Sequence, residues 1–73
     1  MAEEIIEAPA AGKVLKVHVE AGTRVDEGDR ICVMEALKME LPIVAPAAGT
    51  VKTVHVAAGQ AVEAGDALAV LEV

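Results

Sequence analysis

The chain has 73 residues, of which 6 are basic and 12 acidic; 55% are hydrophobic and none is Phe, Tyr or Trp, which bounds it to one small domain with an aliphatic core. A formal charge of −6 repels phosphate backbones, and without aromatic rings nothing stacks on bases, so nucleic-acid binding is excluded. No apolar window reaches the length of a membrane span, and Met1-Ala2-Glu3-Glu4 lacks the basic segment and apolar run of a signal peptide.

Short strands separated by glycine turns follow one another along the chain. Ile5-Ile6 opens a first strand that Ala8-Pro9 ends, and Val14, Val17 and Val19 form a second, stopped by Ala21-Gly22. Val25 precedes the polar turn Asp26-Glu27-Gly28-Asp29, whose glycine tolerates positive φ. Arg30 to Glu35 is the next strand, and its lone Cys32, in the apolar run Ile31-Cys32-Val33-Met34, is expected to be a core residue. One cysteine forms no internal disulfide, which fits a cytoplasmic protein. Met39 to Val44 follows, with Pro42 requiring an edge or bulge position because it has no amide hydrogen to share.

After Pro46 the same order returns: Val51, Val54 and Val56, then Ala58-Gly59, Val62, Ala64-Gly65-Asp66, and a final strand from Leu68 to Val73. No apolar stripe persists at helical spacing, so the reading is all-β, a sandwich or small barrel.

The return is a duplication. Ala8-Pro9-Ala10-Ala11-Gly12 reappears as Ala45-Pro46-Ala47-Ala48-Gly49, and Val17-His18-Val19 as Val54-His55-Val56. Between Ala8–Ala36 and Ala45–Val73, 16 of 29 positions are identical without a gap. One domain over residues 1–73 is expected, with repeats at about 3–35 and 40–72 related by a pseudo-two-fold axis. Leu37-Lys38 then joins the halves at one end, and the termini lie close together at the other.

That junction breaks a local rule. Cys32-Val33-Met34-Glu35 and Glu40-Leu41-Pro42-Ile43 are separated by a link so short that a tight hairpin is required. Two-residue hairpin turns need positive φ and recruit Asn or Gly, yet Leu37 and Lys38 stand there, at a cost of about 1 kcal/mol or more. The neighbours Leu37 and Met39 are apolar where a hairpin tip is ordinarily polar. A broken rule without structural gain points to function at Lys38.

The segment Glu35-Ala36-Leu37-Lys38-Met39-Glu40 resembles the attachment motif of biotinyl carrier domains, whose usual form is Glu-Ala-Met-Lys-Met. Gly28-Asp29, the Ala45 to Gly49 run, Gly65-Asp66 and the position of Lys38 about 35 residues before the C-terminus resemble the same family, so essentially the whole chain is covered. The departure is Leu37 in place of methionine, a nearly volume-conserving change.

The resemblance implies a flattened β-barrel/sandwich hybrid of two four-stranded sheets with the lysine on a tight hairpin, without the thumb insertion some members carry. It implies biotin joined covalently to Lys38 by a biotin protein ligase, with Glu35, Ala36, Leu37 and Met39 as the recognition motif. The carrier, itself no enzyme, would serve a biotin carboxylase and a carboxyltransferase. Lipoyl domains, which typically place Asp before the lysine and Ala after it, are the alternative, and an unmodified adaptor domain of the same fold is another. Acylation would take the formal charge from −6 to −7.

His18 and His55 hold equivalent places between valines, and alternation turns both rings away from the valine face. No Cys or carboxylate cluster has ligand spacing beside them, so they are read as surface residues rather than metal ligands.

Overall fold

The computed structural model describes residues 2–73 as eight strands and, among those residues, no helix. They are β1 (Glu3–Glu7), β2 (Gly12–Val17), β3 (Arg24–Val25), β4 (Arg30–Ala36), β5 (Met39–Val44), β6 (Gly49–Val54), β7 (Ala61–Val62) and β8 (Ala67–Glu72). Two open antiparallel sheets result, in the orders β1-β8-β6-β3 and β5-β4-β2-β7. Of the expected sandwich or barrel, the sandwich forms: each sheet keeps two free edges.

Adding 37 to a residue number turns each strand of the first half into its mate in the second, and β1-β8-β6-β3 maps onto β5-β4-β2-β7. Each sheet therefore takes its two central strands from one half and its two edge strands from the other. The halves are intertwined rather than side by side.

The irregularities obey the same symmetry. An extra residue bulges from β2 at Leu15 and from β6 at Lys52, opposite the central strands β4 and β8. Such a bulge shifts the alternation by one, so Val14 and Val17 both turn toward the core although they are three positions apart. Second bulges, at Ile31 on β4 and Leu68 on β8, let Ile31-Cys32 and Leu68-Ala69 be buried as consecutive pairs. The core between the sheets holds Val14, Ile31, Met34, Val51, Leu68 and Leu71, and no polar side chain among the described residues is buried.

The strand from Val14 to Val19 is shorter than expected: β2 ends at Val17 and β6 at Val54, while Val19 and Val56 pack against the core from the connections that follow. The two-residue strands β3 and β7 carry no periodic signal of their own. Pro42 sits on the edge strand β5, opposite Val33, where its missing N–H breaks no ladder bond.

The recurrent Ala-Pro and Gly-Asp motifs interlock across the halves. In the turn before β4, the Asp29 carboxylate accepts the Asp26 N–H at 2.8 Å while Gly28 takes φ +90°. Gly28 N–H donates to the Ala45 carbonyl at 2.9 Å, and Ala45 N–H returns a bond to the Asp29 carbonyl at 2.8 Å. Asp66, Glu63, Gly65 and Ala8 repeat the same clasp before β8. Ala8 and Ala45 are buried under these clasps.

The chain ends close as expected: Val73 N–H donates to the Ala2 carbonyl at 2.9 Å. β3 pairs with β6 beside Glu72, so the chain leaves the terminal end at Arg24–Val25 and climbs β4 for seven residues to Ala36. At about 3.3 Å per residue that is roughly 20 Å, which sets Lys38 at the far end of a molecule 35 Å long.

Candidate functional site

Rung by rung, β4 and β5 pair from Arg30↔Val44 to Glu35↔Glu40 and Ala36↔Met39, and exactly two residues remain to turn the chain. Leu37 has φ 53° and Lys38 φ 64°, the only positive values among described residues other than glycine. Positive φ at both central positions is the signature of a type I′ turn, whose twist matches the flanking strands. For side chains with a Cβ this conformation costs about 1–2 kcal/mol per residue. The hairpin ladder below over-determines the turn and holds it there.

At the crest, Leu37 is 91% exposed and Met39 62% exposed, and Lys38 between them is exposed without a hydrogen-bond or ion-pair partner among the described residues. Two apolar side chains stand in water beside a free amine. Glu35 and Glu40 face each other across the second rung below the turn, both exposed. Like charges directly opposite destabilise a strand pair by a few tenths of a kcal/mol to about 1 kcal/mol. Folding alone favours neither arrangement.

The inward face of the hairpin supplies the rigidity. Met34 and Ala36 point into the core, the latter 6% exposed. Of the five residues singled out in the motif, then, Leu37, Lys38, Met39 and Glu35 share the outer tip, whereas Ala36 is turned inward and acts as a floor. Gly12 braces that floor from β2: a methyl there would fall on the Glu35 carbonyl and within 3.2 Å of the Ala36 Cβ. Sequence reading registered Gly12 only as part of a repeat. A glycine inside a strand pattern marks a close backbone approach, and that was the available signal.

His18 and His55 are exposed, each just past the end of a central strand of a different sheet, and no cluster of three or more metal-ligating side chains occurs among the described residues. Cys32 is buried, and burial pushes its thiol up from the ordinary cysteine range, so it holds little thiolate at neutral pH. Lys52 forms an ion pair with Glu3, whose hydrogen bond and charge hold the ammonium above the usual lysine range. That cation is thus engaged, in contrast to Lys38. At the hairpin crest the geometry offers an exposed primary amine on a stiff pedestal, with no hydrogen-bonded or ion-paired partner among the described residues, which leaves it sterically open to acylation.

The family model Biotin_lipoyl, described as "Biotin-requiring enzyme", matches residues 4–71. The biotinylated protein TB7.3 of Mycobacterium tuberculosis is 44% identical over 44 residues, which cover 60% of this chain and 61% of that protein. A single-chain, multi-domain long-chain acyl-CoA carboxylase aligns in structure with a TM-score of 0.86 and 38% identity, over 93% of this chain and 7% of the other. The lipoyl domain of the 2-oxoglutarate dehydrogenase complex from Azotobacter vinelandii aligns with a TM-score of 0.81 and 28% identity, over 94% of this chain and 96% of that domain. The matched stretches span about half to three-fifths of the small bacterial relatives.

Proposed function

This chain belongs to the biotin/lipoyl family, and we propose that it is a covalent biotin carrier, acylated at Lys38 and serving a biotin-dependent carboxylase. The observation that carries the proposal is the Lys38 amine itself: exposed, unpartnered, and set by positive φ on a turn that no stability argument favours. Membership of the family and likeness to a biotinylated protein and to a carboxylase support biotin as the acyl group.

The chain's own residues have three tasks. Ala36 and Gly12 fix the base of the turn, so that the amine is displayed in one position rather than several. Leu37 and Met39 offer apolar area that a biotin protein ligase buries when it binds the tip, while Glu35 supplies a negative charge on the same face. The exposed lysine stem then acts as a tether, which raises the local concentration of its cargo at two successive sites. Bound biotin supplies a ureido nitrogen able to carry a carboxyl group from a biotin carboxylase to a carboxyltransferase. The carrier domain, which we place over residues 1–73, contributes no catalytic group. A lone buried cysteine is consistent with a cytoplasmic setting.

The likeness to a lipoyl domain over its whole length favours a second reading, lipoate on the same lysine. Against it stand Met39 after the lysine and Leu37 before it, where lipoyl domains typically carry Ala and Asp. Co-expression with a biotin protein ligase, followed by intact mass and avidin capture, decides the matter. One biotin on the wild type and none on Lys38→Arg is the expected result. A bare chain, an adduct elsewhere, or a lipoyl mass on protein from its native cell would overturn the proposal.

A further inference from the structure

The outer face of the β5-β4-β2 sheet carries an open groove of about 390 Å³ lined by Leu15, Lys16, His18, Arg30, Val33 and Glu40. Lys16 and Val33 lie on the same rung of β2 and β4, and Pro42 of β5 extends that rung. Arg30 is the next outward rung along β4, about 7 Å on, because the Ile31 bulge removes one step of alternation. Neither base is paired: the one ion pair among the described residues is Lys52–Glu3.

The duplication provides an internal control. The repeat mates of the six lining positions, 37 residues on for the first five and 37 back for Glu40, are Lys52, Thr53, His55, Ala67, Val70 and Glu3 at the opposite sheet. There the single base and single acid close on each other as the Lys52–Glu3 pair. In the groove, the bulge residue is instead the half-exposed Leu15, two bases stand free, and the acid Glu40 engages neither. The fold tolerates Thr and Ala where Lys16 and Arg30 stand, so it does not require these cations. They form a basic, partly apolar strip on a chain of net charge −6.

We propose that this groove docks an extended acidic segment of a partner protein, with carboxylates on Lys16 and Arg30 and an apolar side chain against Leu15 and Val33. Charge complementarity selects that occupant. Alternate residues of an extended segment lie about 7 Å apart on one side, which matches the along-strand offset between Lys16 and Arg30, the two bases standing on neighbouring strands. The groove is on the sheet that carries the Lys38 hairpin, so the partner would be held beside the modified amine. The test uses the unacylated chain and is therefore independent of what joins Lys38.

An acetylated hexapeptide of alternating glutamate and valine is titrated into the 15N-labelled protein. Amide shifts at Lys16, His18, Arg30 and Val33, absent from Thr53, His55, Ala67 and Val70 and weakened by added salt, are expected. Lys16→Glu with Arg30→Glu should weaken binding at least about tenfold, and Lys52→Glu should leave it unchanged. Where the double reversal disturbs folding, Lys16→Gln with Arg30→Gln serves, its dispersed spectrum confirming the fold. Shifts on both faces, affinity indifferent to the charge changes, or no shifts would overturn the proposal. So would shifts produced by inorganic phosphate or by vesicles of anionic phospholipid but not by the peptide, which would reassign the groove to a small anion or a lipid surface.

Discussion

The two ends of this molecule are built from equivalent residues and do different things. At one end Ala36 pairs with Met39 across a two-residue turn; at the other, their mates Val73 and Ala2 exchange backbone bonds with no turn between them. Beneath both, a glycine of β2 or β6 lies against a carbonyl of the neighbouring central strand, Gly12 on Glu35 and Gly49 on Glu72. The framework is common to both ends, whereas the left-handed turn and the exposed Leu37 and Met39 belong to one. What the fold requires is found twice, and what is found once is where the proposed function is sited.

Substitutions at mated positions sharpen that contrast. The largest stability effect is expected in the shared core, where Met34 and Leu71 are mates and both fully buried. Met34→Ala and Leu71→Ala should each cost about 2–5 kcal/mol in chemical denaturation, enough to unfold much of so small a domain. A clear difference between them would show that the halves are not energetically equivalent.

The glycine braces come next. Gly12→Ala and Gly49→Ala should each destabilise by about 1–3 kcal/mol, because backbone rather than a flexible side chain must yield. Only Gly12→Ala should also slow ligase-catalysed biotinylation of Lys38, measured at a temperature where both variants remain folded. Equal rates would mean that the pedestal does not position the amine.

The smallest effect has the opposite sign. Leu37→Gly relieves a positive φ and should stabilise by about 1 kcal/mol in thermal or denaturant melts, while lowering the biotinylation rate through lost apolar contact and a looser turn. A variant both more stable and equally well modified would remove the functional reason given for the strained leucine.

Much of this was legible in the chain. The gapless repeat places Leu37-Lys38 at a junction, and the period of two with glycine punctuation excludes helix. Turn chemistry marks Lys38 because positive φ is demanded by loop length, whatever residue stands there. The role of Gly12 and the Ala45 to Gly28-Asp29 clasp were not legible as contacts, since each joins residues distant in sequence whose spacing carries no period. The bulges at Leu15 and Lys52 were hidden for a related reason: one extra residue in a short strand looks like imperfect alternation.

The amino-acid order by itself determined the class of fold, the two-fold repetition and the lysine at the crest, because periodicity, turn length and self-similarity are local properties. Tertiary structure alone decided which strands became neighbours. Alternation states which face of a strand is apolar, but not what covers it or which edge it pairs with. Sharing the edge strands between halves settles both, by burying two apolar faces against each other. That exchange also sets Lys16, Arg30 and Val33 of the first half beside Glu40 of the second, forming a groove that neither repeat contains alone.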